Sequence, residues 1–227
     1  MKRALVLLVV VACVVSATVT KADIYFYNID TDPAGWAAAV AGMTPTVAYD
    51  FDLDPDYSII SFPGPLTSAG AGPVSAGILA DGVVMDRDNL GGGPDGLASV
   101  GPGSGYGITS NAVLANYFVD AFMISDFPGA PEAFAFHPIT LVGGNSIDIT
   151  VNGSVTFSAP NFSNMGILVT DGTPLLSVRI YDSSAGGAEG VQGLGTLYSP
   201  VVPVPPAVIL GGLGLGLAGW IQRRRSA

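Results

Sequence analysis

The chain has 227 residues, with 18 acids against 8 bases, and six of those bases (Lys2, Arg3, Lys21, Arg223, Arg224, Arg225) lie near the two ends. Between positions 23 and 202 only Arg87 and Arg179 face all 18 acids, a net charge of −16. A body so acidic repels phosphate backbones and anionic bilayers, which excludes DNA or RNA as a partner.

The chain opens with Met1-Lys2-Arg3, followed by an almost unbroken apolar run over residues 4–19 and a small residue, Ala22, before Asp23. This is the pattern of a secretory signal peptide, residues 1–22, removed on export. An uncleaved anchor is the alternative, but the run is short and the composition changes at Asp23. Val10-Val11-Ala12-Cys13 also has the form of a lipobox, although Cys13 comes early and the apolar run continues past it. Cys13 is the one cysteine, so a chain cut after Ala22 has no disulfide, no thiolate nucleophile and no cysteine metal site.

Residues 23–199 read as one domain. Residues 24–27 (IYFY) predict a first strand. Asp32 suits an N-cap, Pro33 the first helical turn and Gly42 a stop, which predicts one short helix packed through Trp36 and Val40. In TVAYDF the period becomes two, with Val47, Tyr49 and Phe51 on one face of a strand. Residues 63–77 and 91–105 are rich in Gly, Pro and Ser and read as loops. Residues 77–86 (GILADGVVMD) between them read as a strand pair, or one bent strand, around Asp81-Gly82. AFAFHPITLV predicts short strands interrupted at Pro138. SIDITVNGSVTFS predicts a hairpin turning at Asn152-Gly153, a pair that accepts the positive φ of a type I′ turn. GILVTDGTPLLSVRIYD repeats that logic with a looser turn at Asp171-Gly172. Many short strands, frequent turns and one helix predict an all-β fold, an antiparallel β-sandwich of jelly-roll type.

YDFDLDPDY places Asp50, Asp52, Asp54 and Asp56 at every second residue, so on a strand their carboxylates would share a face. Asp86 and Asp88 open a second acidic stretch, DRDNLGGGPDG. Hard oxygen ligands suit calcium, and Asp50, Asp52, Asp54, Asp86 and Asp88 are the candidate ligands. Neither stretch is an EF-hand: Pro55 holds the glycine position, Ser61 the place of the bidentate glutamate, and Leu90 a position that needs an oxygen. A solvated acidic surface is the favoured reading of both stretches, and calcium binding the alternative. His137 is the single histidine, no serine sits in a G-x-S-x-G elbow, and no glycine run carries a P-loop lysine. No catalytic set emerges, and the expectation is a protein that is not an enzyme.

The tail, residues 200–227, is of another kind. Val202, Pro203, Val204, Pro205 and Pro206 lead into an apolar segment, residues 207–221, that is laced with glycine and short for a bilayer. Trp220 then precedes Arg223, Arg224 and Arg225, which the positive-inside rule keeps in the cytoplasm. This arrangement resembles the PEP-CTERM sorting domain of exported bacterial proteins. The middle residue, Val204, departs from the family's Glu and is closer to its Val-Pro-Leu-Pro-Ala variant. The resemblance covers about 25 residues; the body is similar only loosely to the β-sandwich domains that often precede such tails. It implies processing by an exosortase, a transient membrane anchor, and delivery to the cell surface or extracellular matrix. The alternative is a secreted carbohydrate-binding module that stacks Trp36, Tyr57, Tyr106 or Tyr117 on an extracellular polysaccharide.

Overall fold

The computed structural model describes residues 23–88, 96–115, 121–141, 146–160, 163–170, 172–182 and 188–201. The signal peptide, the tail from Val202 onward and Tyr117 lie outside the described residues.

The described chain is mostly β. In order it forms β1 (Ile24–Asn28), α1 (Pro33–Ala39), β2 (Met43–Asp50), β3 (Ile60–Phe62), β4 (Val84–Asp88), β5 (Leu97–Val100) and β6 (Ala112–Ala115). It continues with β7 (Ala121–Ser125), β8 (Ala133–Thr140), β9 (Ser146–Val151), β10 (Val155–Pro160), β11 (Met165–Val169), β12 (Ser177–Tyr181) and β13 (Glu189–Pro200). The strands make two antiparallel sheets. One has the order β1-β11-β8-β13-β6-β5-β3, with β2 also on β13; the other is β10-β9-β12-β7-β4. From β6 onward the chain passes repeatedly between them. The run β6-β13-β8-β11 sits in the first sheet and β7-β12-β9-β10 in the second.

Inward residues of both sheets meet in one apolar cluster. Tyr49, Phe134, Phe136 and Val191 enter from the first sheet; Phe122, Ile124, Ile147, Ile149, Val178 and Ile180 enter from the second. Phe134 stacks on Phe136 at 4.7 Å and Tyr49 on Phe51 at 4.8 Å. Burying each such side chain contributes roughly 1.5–3 kcal/mol. With no cysteine after Cys13, this packing is what holds the body. A smaller cluster of Val100, Ile108, Ala112, Leu114, Ile139 and Ala188 covers the other face of β6.

The helix forms as its sequence indicates. Asp32 accepts a hydrogen bond from the Gly35 amide at 2.9 Å, and Pro33 occupies the first turn. Trp36 is buried over Gly166, edge-on to Tyr198 at 5.5 Å and tilted to Tyr27 at 5.6 Å. The Asn152-Gly153 hairpin also forms. Both residues have positive φ (49° and 67°), and the Ser154 amide donates to the Val151 carbonyl at 3.1 Å.

Elsewhere the structure departs from the local pattern. β2 does not alternate as TVAYDF suggests: the register against β13 slips between Gly195 and Thr196, skipping Ala48. The extra residue turns Val47 to solvent, half exposed, while Ala48 and Tyr49 are both buried. Phe51 has already left the strand for a 3-10 turn (Phe51–Leu53). β8 runs unbroken through Pro138. β11 pairs β8 only from Ala133 to Phe136, so at Pro138 the paired neighbour is β13 alone, a position a residue without N–H tolerates. β11 and β12 are not a hairpin but belong to different sheets, because the connection between them is long enough to cross. The region 77–86 gives one strand, β4, plus an isolated bridge between Tyr49 and Leu79. β5 lies inside the stretch read as loop.

Candidate functional site

The acidic stretch 50–56 is a folded loop rather than a strand face. β2 ends at Asp50, and Asp50 Oδ1 accepts from the Asp52 amide at 3.2 Å, capping the 3-10 turn. Asp52 Oδ1 accepts from the Asn111 amide at 3.1 Å. Asp54 Oδ2 accepts from the Ser75 amide at 2.9 Å and from the Tyr57 hydroxyl at 2.8 Å. Asn111 ties the loop together: its Nδ2 donates to the Phe51 carbonyl at 2.9 Å and the Pro55 carbonyl at 3.1 Å, and its Oδ1 accepts from the Tyr57 amide at 2.8 Å. Partial burial raises the Asp54 carboxyl, but the bonds from Ser75 and Tyr57 outweigh that and hold it below its ordinary value. Burial, then the bond to Asp54, pushes the Tyr57 phenol up. These carboxylates are thus engaged in shaping the loop.

Asp86 and Asp88 lie on β4, in the second sheet, not in a loop. Asp86 Oδ1 accepts from the Arg87 amide at 2.8 Å, and Asp88 Oδ2 pairs with Arg179 Nε at 2.9 Å. Arg179 also lies over the Tyr181 ring, 5.0 Å from its centroid. The structure therefore does not bring the two acidic stretches into one site. Among the described residues no group of three or more His, Cys, Asp or Glu is placed to hold a metal ion.

The aromatics expected to stack on sugars divide differently. Trp36 and Tyr57 are buried, at 6% and 7% exposure, and Tyr106 is 45% exposed. Beside Trp36 lies an open depression of about 300 Å³ lined by Ala135, Asn164, Leu194, Thr196 and Tyr198. A larger one of about 540 Å³ is lined by Asp126, Phe127, Ala130, Pro174, Leu175 and Leu176. Asp126 and Ala130 there both have positive φ, 57° and 49°, an arrangement that costs energy in residues other than glycine. His137 pairs across strands with Gln192, whose Nε2 lies 3.1 Å from the ring Nε2.

Sequence reasoning missed the most unusual group in the body. Glu189 opens β13 and points inward in register with Val191, and Asp182 follows β12 in register with Val178 and Ile180. Both are buried, at 0% and 2% exposure. Neither Glu189 carboxylate oxygen has a hydrogen-bond partner among the described residues. Burial first, then the charge of Asp182, pushes the Glu189 carboxyl up to about 8. The amides of Glu189 and Asp182 and the charge of Arg179 offset this only in part. The signal was present: VRIYD alternates Val178, Ile180, Asp182, placing an acid where the next inward apolar residue belongs.

No protein-family model, curated protein or solved structure matches the chain. Among the described residues no helix is long and apolar enough to cross a membrane.

Proposed function

We propose that the chain is an exported, non-enzymatic protein of the cell surface or extracellular matrix, delivered by its C-terminal sorting tail. The observation that carries this reading is the tail itself: Val202, Pro203, Val204, Pro205 and Pro206, a short glycine-rich apolar segment, then Arg223, Arg224 and Arg225 at the terminus. An exosortase is the partner this arrangement implies, acting after the N-terminal signal has sent the chain across the membrane. The prolines disfavour helix and present an extended segment to the protease. The arginines resist translocation and hold the terminus inside.

The body suits such a role as a jelly-roll β-sandwich. The support for that fold is the spatial order β6-β13-β8-β11 against β7-β12-β9-β10, in which eight successive strands pair as two interlocked Greek keys. The other strands extend this unit at its edges. The absence of a nucleophile elbow and of a second histidine in the sequence supports a structural or adhesive role over catalysis.

A graft tests the tail. Residues 200–227 fused to a neutral exported reporter, in a bacterium that carries an exosortase, should place the reporter at the surface in processed form. A reporter that stays wholly in the membrane fraction, uncut, would identify the tail as an ordinary anchor.

A further inference from the structure

We propose that Asp182 and Glu189 hold a divalent, oxygen-preferring cation of the calcium type between the two sheets, where β12 ends and β13 begins. The site differs from the acidic stretches at Asp50 and Asp86 and does not depend on the sorting-tail reading.

Val178 and Ile180 put alternate residues of β12 into the shared core, so Asp182 continues that inward row from the second sheet. Val191 does the same for β13, so Glu189 enters from the first sheet. One carboxyl group thus comes from each sheet. Thr140 stands opposite Glu189 in the ladder and is also fully buried.

The charge balance is unfavourable without a ligand. An ionised carboxylate taken out of water needs a partner, and the Glu189 oxygens have none among the described residues. The body has two Lys or Arg residues between positions 23 and 202. Arg179 is engaged with Asp88, and its influence on Glu189 is the last in order of size. A proton on Glu189 would cancel its charge but supplies no second ligand for Asp182. A cation bound there gives the Glu189 oxygens a partner and offsets their charge, with Asp182 as a second oxygen donor. Carboxylates, hydroxyl, carbonyl and water oxygens are the donors calcium takes, whereas zinc would want histidine or cysteine.

The test uses the full-length protein, purified in mild detergent and stripped with EDTA. Calcium chloride at about 1 mM should raise the melting temperature by about 5 °C over sodium chloride of equal ionic strength, which only screens. Glu189→Gln and Asp182→Asn should each remove that difference, and Asp86→Asn should leave it unchanged. If the site variants do not fold, terbium luminescence on the unmutated protein decides: terbium should bind, and calcium but not sodium should displace it. Equal stabilisation by calcium and sodium, a calcium effect that survives Glu189→Gln, or terbium that does not bind or that calcium does not displace would each overturn the assignment.

Discussion

Gly190→Ala is expected to destabilise the fold strongly. β13 is the central strand of the larger sheet, and Gly190 pairs with Leu114 on one side and Ile139 on the other. A Cβ built on Gly190 would fall on the Val113 carbonyl and lie 2.6 Å from the Leu114 Cα. Both atoms belong to the backbone of β6, which cannot swing aside as a side chain would. β6 is itself fixed by β5 and buried on both faces, at Val113 and Ala115 on one and Ala112 and Leu114 on the other. The clash therefore has to separate two central strands, at a cost of about 3 kcal/mol. Against a typical total stability of about 5–15 kcal/mol this is a large fraction, so the variant should melt at a clearly lower temperature and be cleaved faster by protease. Gly103→Ala is the control, because a Cβ there meets nothing within 4 Å. Thermal melts by circular dichroism and limited proteolysis of the two variants make the comparison, and a Gly190→Ala protein as stable and as protease-resistant as Gly103→Ala would contradict this account of the ladder.

The second large effect is on the pH dependence of stability with calcium chelated. Glu189 has an ordinary value of 4.5, and in the folded protein burial and then Asp182 push it up to about 8. Between those values the folded form keeps a proton that the unfolded chain has lost. This contribution is complete below pH 4.5, falls as pH rises, and is gone once pH passes about 8. The slope is at most about 1.4 kcal/mol per pH unit. Glu189→Gln has no proton to lose there, so its denaturation midpoints should be flatter between the two values and higher than those of the unmutated protein near pH 8. Identical profiles for the two proteins would place the pH sensitivity elsewhere.

What the sequence made legible follows from how local each signal is. The Asn152-Gly153 turn and the Asp32-Pro33 helix start are determined by two or three neighbouring residues, and both form. The jelly-roll expectation agrees with the structure as far as two antiparallel sheets with one helix. β6 had no such signal, because AVLA is buried on both faces and shows no alternation. The bulge at Ala48 and the crossing between β11 and β12 depend on partners distant in sequence. The carboxylates of residues 50–54 misled for the same reason. Their spacing describes a strand face, but Asn111, Tyr57 and Ser75 draw the chain into a loop in which each carboxylate accepts a hydrogen bond. The Glu189 and Asp182 pair needed only the inward register of Val178, Ile180 and Val191 to be continued by one step.

The claim on which the functional account rests is that the tail is an address read in two parts. Fractionation of a host that carries an exosortase, comparing the unmutated chain with two variants, tests it most directly. Replacing Pro203 and Pro205 with alanine should leave export intact and keep the protein uncut in the membrane fraction. Replacing Arg223, Arg224 and Arg225 with neutral residues should release or mistarget it. The unmutated chain should appear processed at the surface or in the matrix, and unchanged surface delivery of both variants would contradict the account.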